Sequence, residues 1–395
     1  MPMRPPAGFI SAFYDPLKNP NAPTIGTATG GDLAASVTFT APSNVGGSAI
    51  SSYTAISTPG GFTGSATSSP VTVTGLTAGT SYTFAVWATN TYGPSAYSAT
   101  SNSATPTATR GVFGSLSSWS NVMNYITVAT TGNAANFGTL LTYGTGGPDY
   151  AAAGVASSTR GIFAGGMSSN PFYLNIIQYI TIATTGDASS FGELLSSLYS
   201  LTGCSSSTRG LFAGGYNGPT NVIQYVTIAT TGNATDFGDL TVARAELAAC
   251  ASPTRAVFAG SQTPSNVMDY VTIASTGNAT DFGDLTVSKR YLAGCSSATR
   301  GLFGGGYVSG GSSSNIIDYI TIATAGNALD FGDLTQARYG PGACSSSTRG
   351  VFGSGQNFNT IDYVTISTAG DAVDFGDMLQ TGYQVNGLSN GHGGL

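Results

Sequence analysis

The chain has 395 residues, of which 56 are Gly and only 8% are charged, and its formal net charge is -6. Ordinary soluble domains carry roughly 25% charged residues. Twelve Lys and Arg leave no basic surface for bulk phosphate neutralisation, which excludes a nucleic-acid binder of that kind. The 41% hydrophobic share suffices for real cores, but every apolar run breaks well before the roughly 20 residues of a membrane span.

Residues 1–20 are Pro-rich and aromatic and lack the continuous apolar stretch of a signal peptide. They read either as a disordered leader or as an arm that docks onto a larger assembly through Phe9, Ile10, Phe13 and Tyr14. Residues 21–106 predict a β-sandwich with strands at 34–40, 50–57, 70–74, 81–89 and 98–104, separated by Gly/Asn/Ser turns. Leu76 and Tyr82, followed by Phe84, Val86 and Ala88 in strict alternation, resemble the tyrosine corner of fibronectin type III modules. Val37 and Phe39 stand where those modules usually have a core Trp. Trp87 falls on the outward phase, as an interface residue or a surface platform, and packing against a neighbour is the expectation.

Residues 107–395 are a repeat array. Thr-Arg followed by Gly or Ala occurs six times, at Arg110, Arg160, Arg209, Arg255, Arg300 and Arg349. Each Arg leads an apolar Gly-rich segment, a loop of variable length, an alternating strand such as NVIQYVTIAT, a short T/A-G-N/D turn, and Phe-Gly-x-Leu or Phe-Gly-x-Met. With the Ala/Gly-rich segment before each Arg, a unit of about 45–50 residues holds four short strands, the size of a propeller blade. The first unit lacks that leading segment, and residues 379–390 supply an orphan copy in which Tyr383 falls on Tyr339 and Leu388 on Cys344. The expected fold class is therefore all-β: a fibronectin type III-like β-sandwich, then a six-bladed β-propeller closed by a C-terminal latch strand. The pattern Arg-Tyr-Gly, small-residue strand, apolar strand ending in Gly-Gly, strand with Tyr, then an aromatic resembles the Kelch family. It departs from that family in closing on Phe where Trp is usual.

The repeated positions read as scaffold. Cys204, Cys250, Cys295 and Cys344 share their place with Val155 and Leu388, a small buried apolar slot, so core thiols are expected and disulfides or metal ligands are not. Arg110, Arg160, Arg209, Arg255, Arg300 and Arg349 read as structural, each bonded to a backbone carbonyl or to an acid such as Asp239, Asp284, Asp333 or Asp377. The other reading of these six is a ring for an anionic sugar. Asp236/Asp239 and their equivalents are three apart on a strand, which predicts opposite faces. His392 is the only His, so a catalytic triad has no fixed base. No catalytic residue, cofactor or metal is assigned, although calcium on the loop acids stays open.

The loops after the Gly-rich strands vary in length and content, as binding loops on a rigid scaffold do. Trp119, Phe172, Tyr173, Tyr216, Tyr307 and Phe358 are their candidate ligand-binding side chains. The leader, the Gly/Ser/Thr-rich sandwich and the near-identical repeats together resemble tailed-bacteriophage virion proteins, especially of phages infecting cyanobacteria. The resemblance implies location in the virion and a tail-fibre or baseplate-peripheral adhesin. It implies contacts to other virion proteins through residues 1–106, a homo-oligomeric state, and recognition of a host-surface polysaccharide or protein. The alternative it implies is a capsid decoration or connector protein with a structural role alone.

Overall fold

Alternating β-branched and small residues, punctuated by Gly, Asn and Ser, leave little room for helix. The computed structural model describes residues 17–114, 121–142, 152–168, 173–263, 265–356 and 358–395, and every regular element among them is a β-strand. The chain divides at Ala108/Thr109 into two compact units.

In the first unit, strands Thr24–Gly30, Ala34–Thr40 and Val71–Thr74 form one antiparallel sheet. Strands Thr63–Ala66, Ser52–Thr58, Thr83–Asn90 and Gly93–Pro94 form the other. Alternation buries Val37, Phe39, Tyr53, Val71, Phe84 and Val86 in one core. Tyr82 is buried, and its hydroxyl accepts the Thr77 N–H at 3.1 Å. Strands Thr24–Gly30 and Thr63–Ala66 escaped the sequence reading because Gly and Thr fill the positions where bulky residues would mark a period of two.

The strand expected at 98–104 is a different structure. Ser95, Ser98 and Ser101 each donate a backbone N–H to the Thr83–Asn90 strand, at the carbonyls of Ala88, Val86 and Phe84. Their hydroxyls accept the return bonds from the same three residues at 2.9–3.0 Å. A side-chain oxygen every third residue replaces a carbonyl every second one, so the period is three. Trp87 lies half-buried on the outer face, with the Tyr97 ring edge-on at 5.3 Å.

In the second unit each repeat forms one antiparallel sheet in sequence order, as in Thr202–Ser205, Arg209–Ala213, Val222–Thr227 and Thr235–Asp239. The first repeat is completed by Asn386–Ser389, which pairs with Arg110–Gly114. Leu388 faces Val112 there as Cys344 faces Val351 in the last repeat. The short leading strands of all six sheets surround a common narrow cavity.

The sheets are joined by a repeated set of contacts. Arg110, Arg160, Arg209, Arg255, Arg300 and Arg349 each lie over the Tyr of their own sheet, at 4.3–4.6 Å. Each then donates Nη1 to a backbone carbonyl of the next sheet at 2.8–3.0 Å. Arg110 reaches Ile182, Arg160 reaches Ile228 and Ala229, and Arg209 reaches Ile273. Arg255 reaches Ile322, Arg300 reaches Ile366, and Arg349 reaches Val128, joining the last sheet to the first. This corrects both other readings of the six Arg. Asp239, Asp284, Asp333 and Asp377 do not take the guanidinium, and none of the six lines the central cavity, so they form no anion-binding ring there. The physical reason is that each side chain lies flat along its Tyr ring, toward the neighbouring sheet.

The same Tyr meets its repeat's closing Phe edge-on at about 6 Å. That Phe is a core residue. Its carbonyl accepts the turn-Gly N–H of the following sheet, as in Gly277 to Phe237, and Gly132 to Phe375 joins the last sheet to the first.

Phe-Gly marks a bulge. Pairing jumps from Gln224↔Asp236 to Ile223↔Gly238, and Gly238 takes φ 145° because a Cβ there would strike the Gly277 carbonyl. The extra residue corrects the expectation for the acids: Asp236 pairs with Gln224 and Asp239 with Val222, which share a face. The cysteines are buried and free, and burial raises their pKa values. The Cys250 Sγ sits in the space left by the missing side chain of Gly301 in the next sheet.

Among the described residues, three sheets carry a buried ion pair that sequence reading did not reveal: Arg244–Asp269 at 2.7 Å, Lys289–Asp318 at 2.8 Å and Arg338–Asp362 at 2.8 Å. Burial pushes the Lys289 pKa down, against the opposing pull of Asp318. Each Asp also accepts from a Thr of the preceding sheet's outer segment: Thr241 and Thr335 just past the outer strand, and Thr286 within the longer strand Thr280–Arg290. In the other three sheets Asn124, Gln178 and Gln224 hold the equivalent place and accept a backbone N–H from that neighbour. Removing one member of a buried pair strands the other, which costs about 3–5 kcal/mol. Arg338→Leu is therefore expected to destabilise by that order. Adding Asp362→Gln copies the Leu198/Gln224 arrangement of the third sheet and should restore most of the loss, read as a denaturant double-mutant cycle.

Candidate functional site

The two ends of the central cavity differ. At one end lies the start of Arg110–Gly114, where the chain enters the second unit. Residues 390–395 cover that end. Asn390 Oδ1 accepts the Arg110 N–H at 2.7 Å, His392 Nε2 donates to the Ala156 carbonyl at 2.9 Å, and His392 Nδ1 accepts the Gly394 N–H at 3.1 Å. Both ring nitrogens are thus used by a neutral imidazole, and burial lowers the His392 pKa below its ordinary value of 6.5.

The other end carries the variable loops and the turns that lead into the short inner strands. The turn residues Ser200, Glu246, Tyr291 and Gln384 have φ of 53°, 60°, 53° and 51°, and Gly340 has 67°. Glu246 N–H bonds Ser200 O, Tyr291 N–H bonds Glu246 O, Gly340 N–H bonds Tyr291 O and Val385 N–H bonds Gly340 O, all at 2.7–3.1 Å. A row of backbone bonds therefore links five of these turns one to the next. It holds four non-Gly residues in the left-handed region, which disfavours L side chains by about 1 kcal/mol or more each.

Those side chains converge. Tyr291 Oη donates to Glu246 Oε1 at 2.6 Å, and Arg290 Nη1 reaches Glu246 Oε2 at 3.3 Å. Gln384 Nε2 donates to Ser200 Oγ at 3.2 Å. The rings of Tyr291, Tyr339 and Tyr383 lie 5.4–6.1 Å apart, and Tyr307 meets Tyr339 edge-on at 5.4 Å. Arg290 lies 5.2 Å from Tyr291 and 5.1 Å from Tyr307. Strand Thr280–Arg290 brings these groups together, because it outruns its counterparts and pairs Arg290 with Tyr307 of the next loop. A second cluster has Tyr173 stacked on Tyr199 at 5.0 Å and Tyr216 edge-on to Tyr199 at 5.3 Å. Beneath lies a cavity of about 60 Å³, with Leu201, Leu247, Leu292, Pro341 and Val385 in its wall and Asn386 beside them.

Of the side chains singled out from the sequence, Tyr173, Tyr216 and Tyr307 lie in these clusters. Phe358 is 36% exposed in a turn of its own, closed by Ser354. Phe9, Ile10, Phe13, Tyr14, Trp119 and Phe172 lie outside the described residues. Sequence reading missed Glu246, Arg290, Tyr291, Tyr339, Tyr383 and Gln384. The signal was available: just before each Ala/Gly-rich strand the repeats differ, reading Tyr-Ser, Ala-Glu, Arg-Tyr, Tyr-Gly and Tyr-Gln. Among the described residues no three His, Cys, Asp or Glu come together as a metal-binding group. A scan against protein-family models gave no match for this chain, and a search of curated proteins gave none.

Glu246 and His392 make the two ends respond to pH in opposite senses. Burial raises the Glu246 pKa above its ordinary 4.5, partly countered by Tyr291 and Arg290. A raised carboxyl favours the fold below the unfolded value, and that contribution is lost as pH climbs through the folded one. Glu246→Gln, which still accepts from Tyr291, is expected to melt higher than wild type at pH 8 and to match it near pH 4, by calorimetry. For His392 the sign is opposite: a lowered pKa favours the fold above 6.5 and disfavours it as pH falls below. Protonation of Nδ1 removes the acceptor for Gly394, so the protection of the Gly394 amide, its exchange rate relative to the intrinsic rate at the same pH, should fall on acidification while the core amides stay protected.

Proposed function

We propose that the second unit is a closed six-bladed β-propeller of Kelch-like repeats and the first a fibronectin type III-like module. We propose further that the chain is a bacteriophage virion protein, a tail-fibre or baseplate-peripheral adhesin. Residues 1–106 anchor it to other virion proteins, and the propeller meets the host surface. The ring is supported by contacts that run from each sheet to the next and from the last back to the first: Arg349 to Val128, Gly132 to Phe375 and the pairing of Asn386–Ser389. The virion assignment rests on the resemblance of the leader, sandwich and repeats.

One observation carries the recognition role. The tyrosine clusters and the strained turns lie at the end of the second unit opposite the start of Arg110–Gly114, while residues 390–395 cover the other end. Tyr rings offer flat apolar faces with a polar tip, which suits the faces and hydroxyls of sugars. Glu246 is already engaged by Tyr291 and Arg290, which favours binding over acid–base chemistry.

The test is binding of the labelled full chain to cyanobacterial cells and to their extracted surface polysaccharide. Saturable binding is expected, weakened about tenfold or more by Tyr307→Ala or Tyr383→Ala. A folded protein that binds neither material would transfer the reading to a structural connector or decoration protein.

A further inference from the structure

Asn386 opens the strand that completes the first sheet. The equivalent positions in four other sheets are small: Thr202, Ala248, Ala293 and Gly342. Asn386 borders both the mouth cavity and the channel below, and its Nδ2 group is buried without a hydrogen-bond partner. A buried amide donor with no acceptor is costly and uncommon. Around it the wall alternates apolar and polar groups. Leu247, Leu292 and Val385 form an apolar floor, and Glu246 and Gln384 stand at the rim in left-handed turns. Gly340 shows that the turn accepts the unstrained residue, so side chains at the other turns are carried against a backbone cost.

We infer that the mouth takes the acetamido group of an N-acetylated hexosamine in a surface glycan. The acetyl methyl packs on Leu247, Leu292 and Val385, the acetamido carbonyl accepts from Asn386 Nδ2, and the sugar ring lies across Tyr339 and Tyr383. A cavity of about 60 Å³ admits a substituent of this size. An acetamido group brings one methyl and one strong acceptor, which are the two things this cavity lacks. A hydroxymethyl group brings no methyl, and a carboxylate would meet Glu246 at the rim. The inference rests on the reading of the loop end as the ligand-binding face.

The experiment is saturation-transfer NMR on the full chain with N-acetylglucosamine and N-acetylgalactosamine, set against glucose and galactose. At least one acetylated sugar should bind about tenfold more tightly than its parent, with the strongest transfer on the acetyl methyl. Asn386→Ala removes the donor without adding a charge, and should reduce that preference about tenfold. Equal binding of acetylated and parent sugars, transfer centred on ring protons, or no binding of either acetylated sugar overturns the inference. The wild-type spectrum decides these outcomes even if the variant does not fold. Cell-surface binding that persists without acetyl preference overturns the acetamido site alone, whereas loss of cell-surface binding removes the adhesin reading.

Discussion

The second unit depends on how a sheet of short strands, flanked by others like it, satisfies its outer backbone. The answer, repeated around the unit from Arg110 and Arg160 through Arg255 to Arg349, is an Arg that leaves its own sheet to bond a carbonyl of the next. The turn of the next sheet returns an N–H to the closing Phe. A guanidinium bound to a neutral carbonyl keeps its charge without burying a counter-charge, and the ring of its own sheet's Tyr supports it from below. This accounts for a chain that is only 8% charged. Apart from Lys18, every described Arg and Lys stitches sheets together, lies in a buried ion pair, or faces Glu246 at the mouth.

How much of this was legible in the sequence follows from what repetition reveals. Arg, Tyr and Phe at fixed spacing announce scaffold, and the orphan segment at 379–390 announces the strand missing from the first repeat. Register puts Leu388 opposite Val112, where that alignment placed it. Repetition did not say which acceptor the Arg would choose, because the carbonyl it takes belongs to a sheet more than 60 residues on, as from Arg160 to Ile228 or Arg255 to Ile322. Features that depend on differences between repeats were harder still to see. The Asp at 269, 318 and 362 coincides with Arg or Lys at 244, 289 and 338, and Gln224 coincides with Leu198, but the partners are about 25 residues apart and no local period links them. The bulge at Phe-Gly changes the phase of the acids without leaving a periodic trace. The Ser95–Ser98–Ser101 segment looks like a strand only while hydroxyls are not counted as backbone acceptors.

The mouth was missed for a related reason. The variable loops drew attention because their length changes, whereas the turn residues change identity at constant length. Glu246, Tyr291 and Gln384 are each one residue in a tight turn, and only the backbone angle marks them as unusual. Tyr307 was the bridge between the two sets: it was visible as a loop aromatic, and its partners Arg290 and Tyr339 belong to the turns.

The buried ion pairs and the mouth are also connected. Arg244, Lys289 and Arg338 stand two residues before Glu246, Tyr291 and Gly340. Each cation is fixed by a buried Asp and backbone carbonyls: Arg244 by Asp269 and the carbonyls of Val267 and Phe258, Arg338 by Asp362 and Phe352 O, and Lys289, near the end of the long strand Thr280–Arg290, by Asp318 and Ile316 O of the following sheet. A buried pair gains little net stability over apolar packing, but it pins position. Here it pins the backbone directly ahead of three left-handed turns, among the repeats where Glu246, Arg290, Tyr291 and Tyr339 gather. The sheets that hold Asn124, Gln178 and Gln224 in place of the Asp lack this anchor. The departure from regularity among the repeats therefore matches the departure at the surface, and the buried charges serve the geometry of the mouth more than the stability of the sheets.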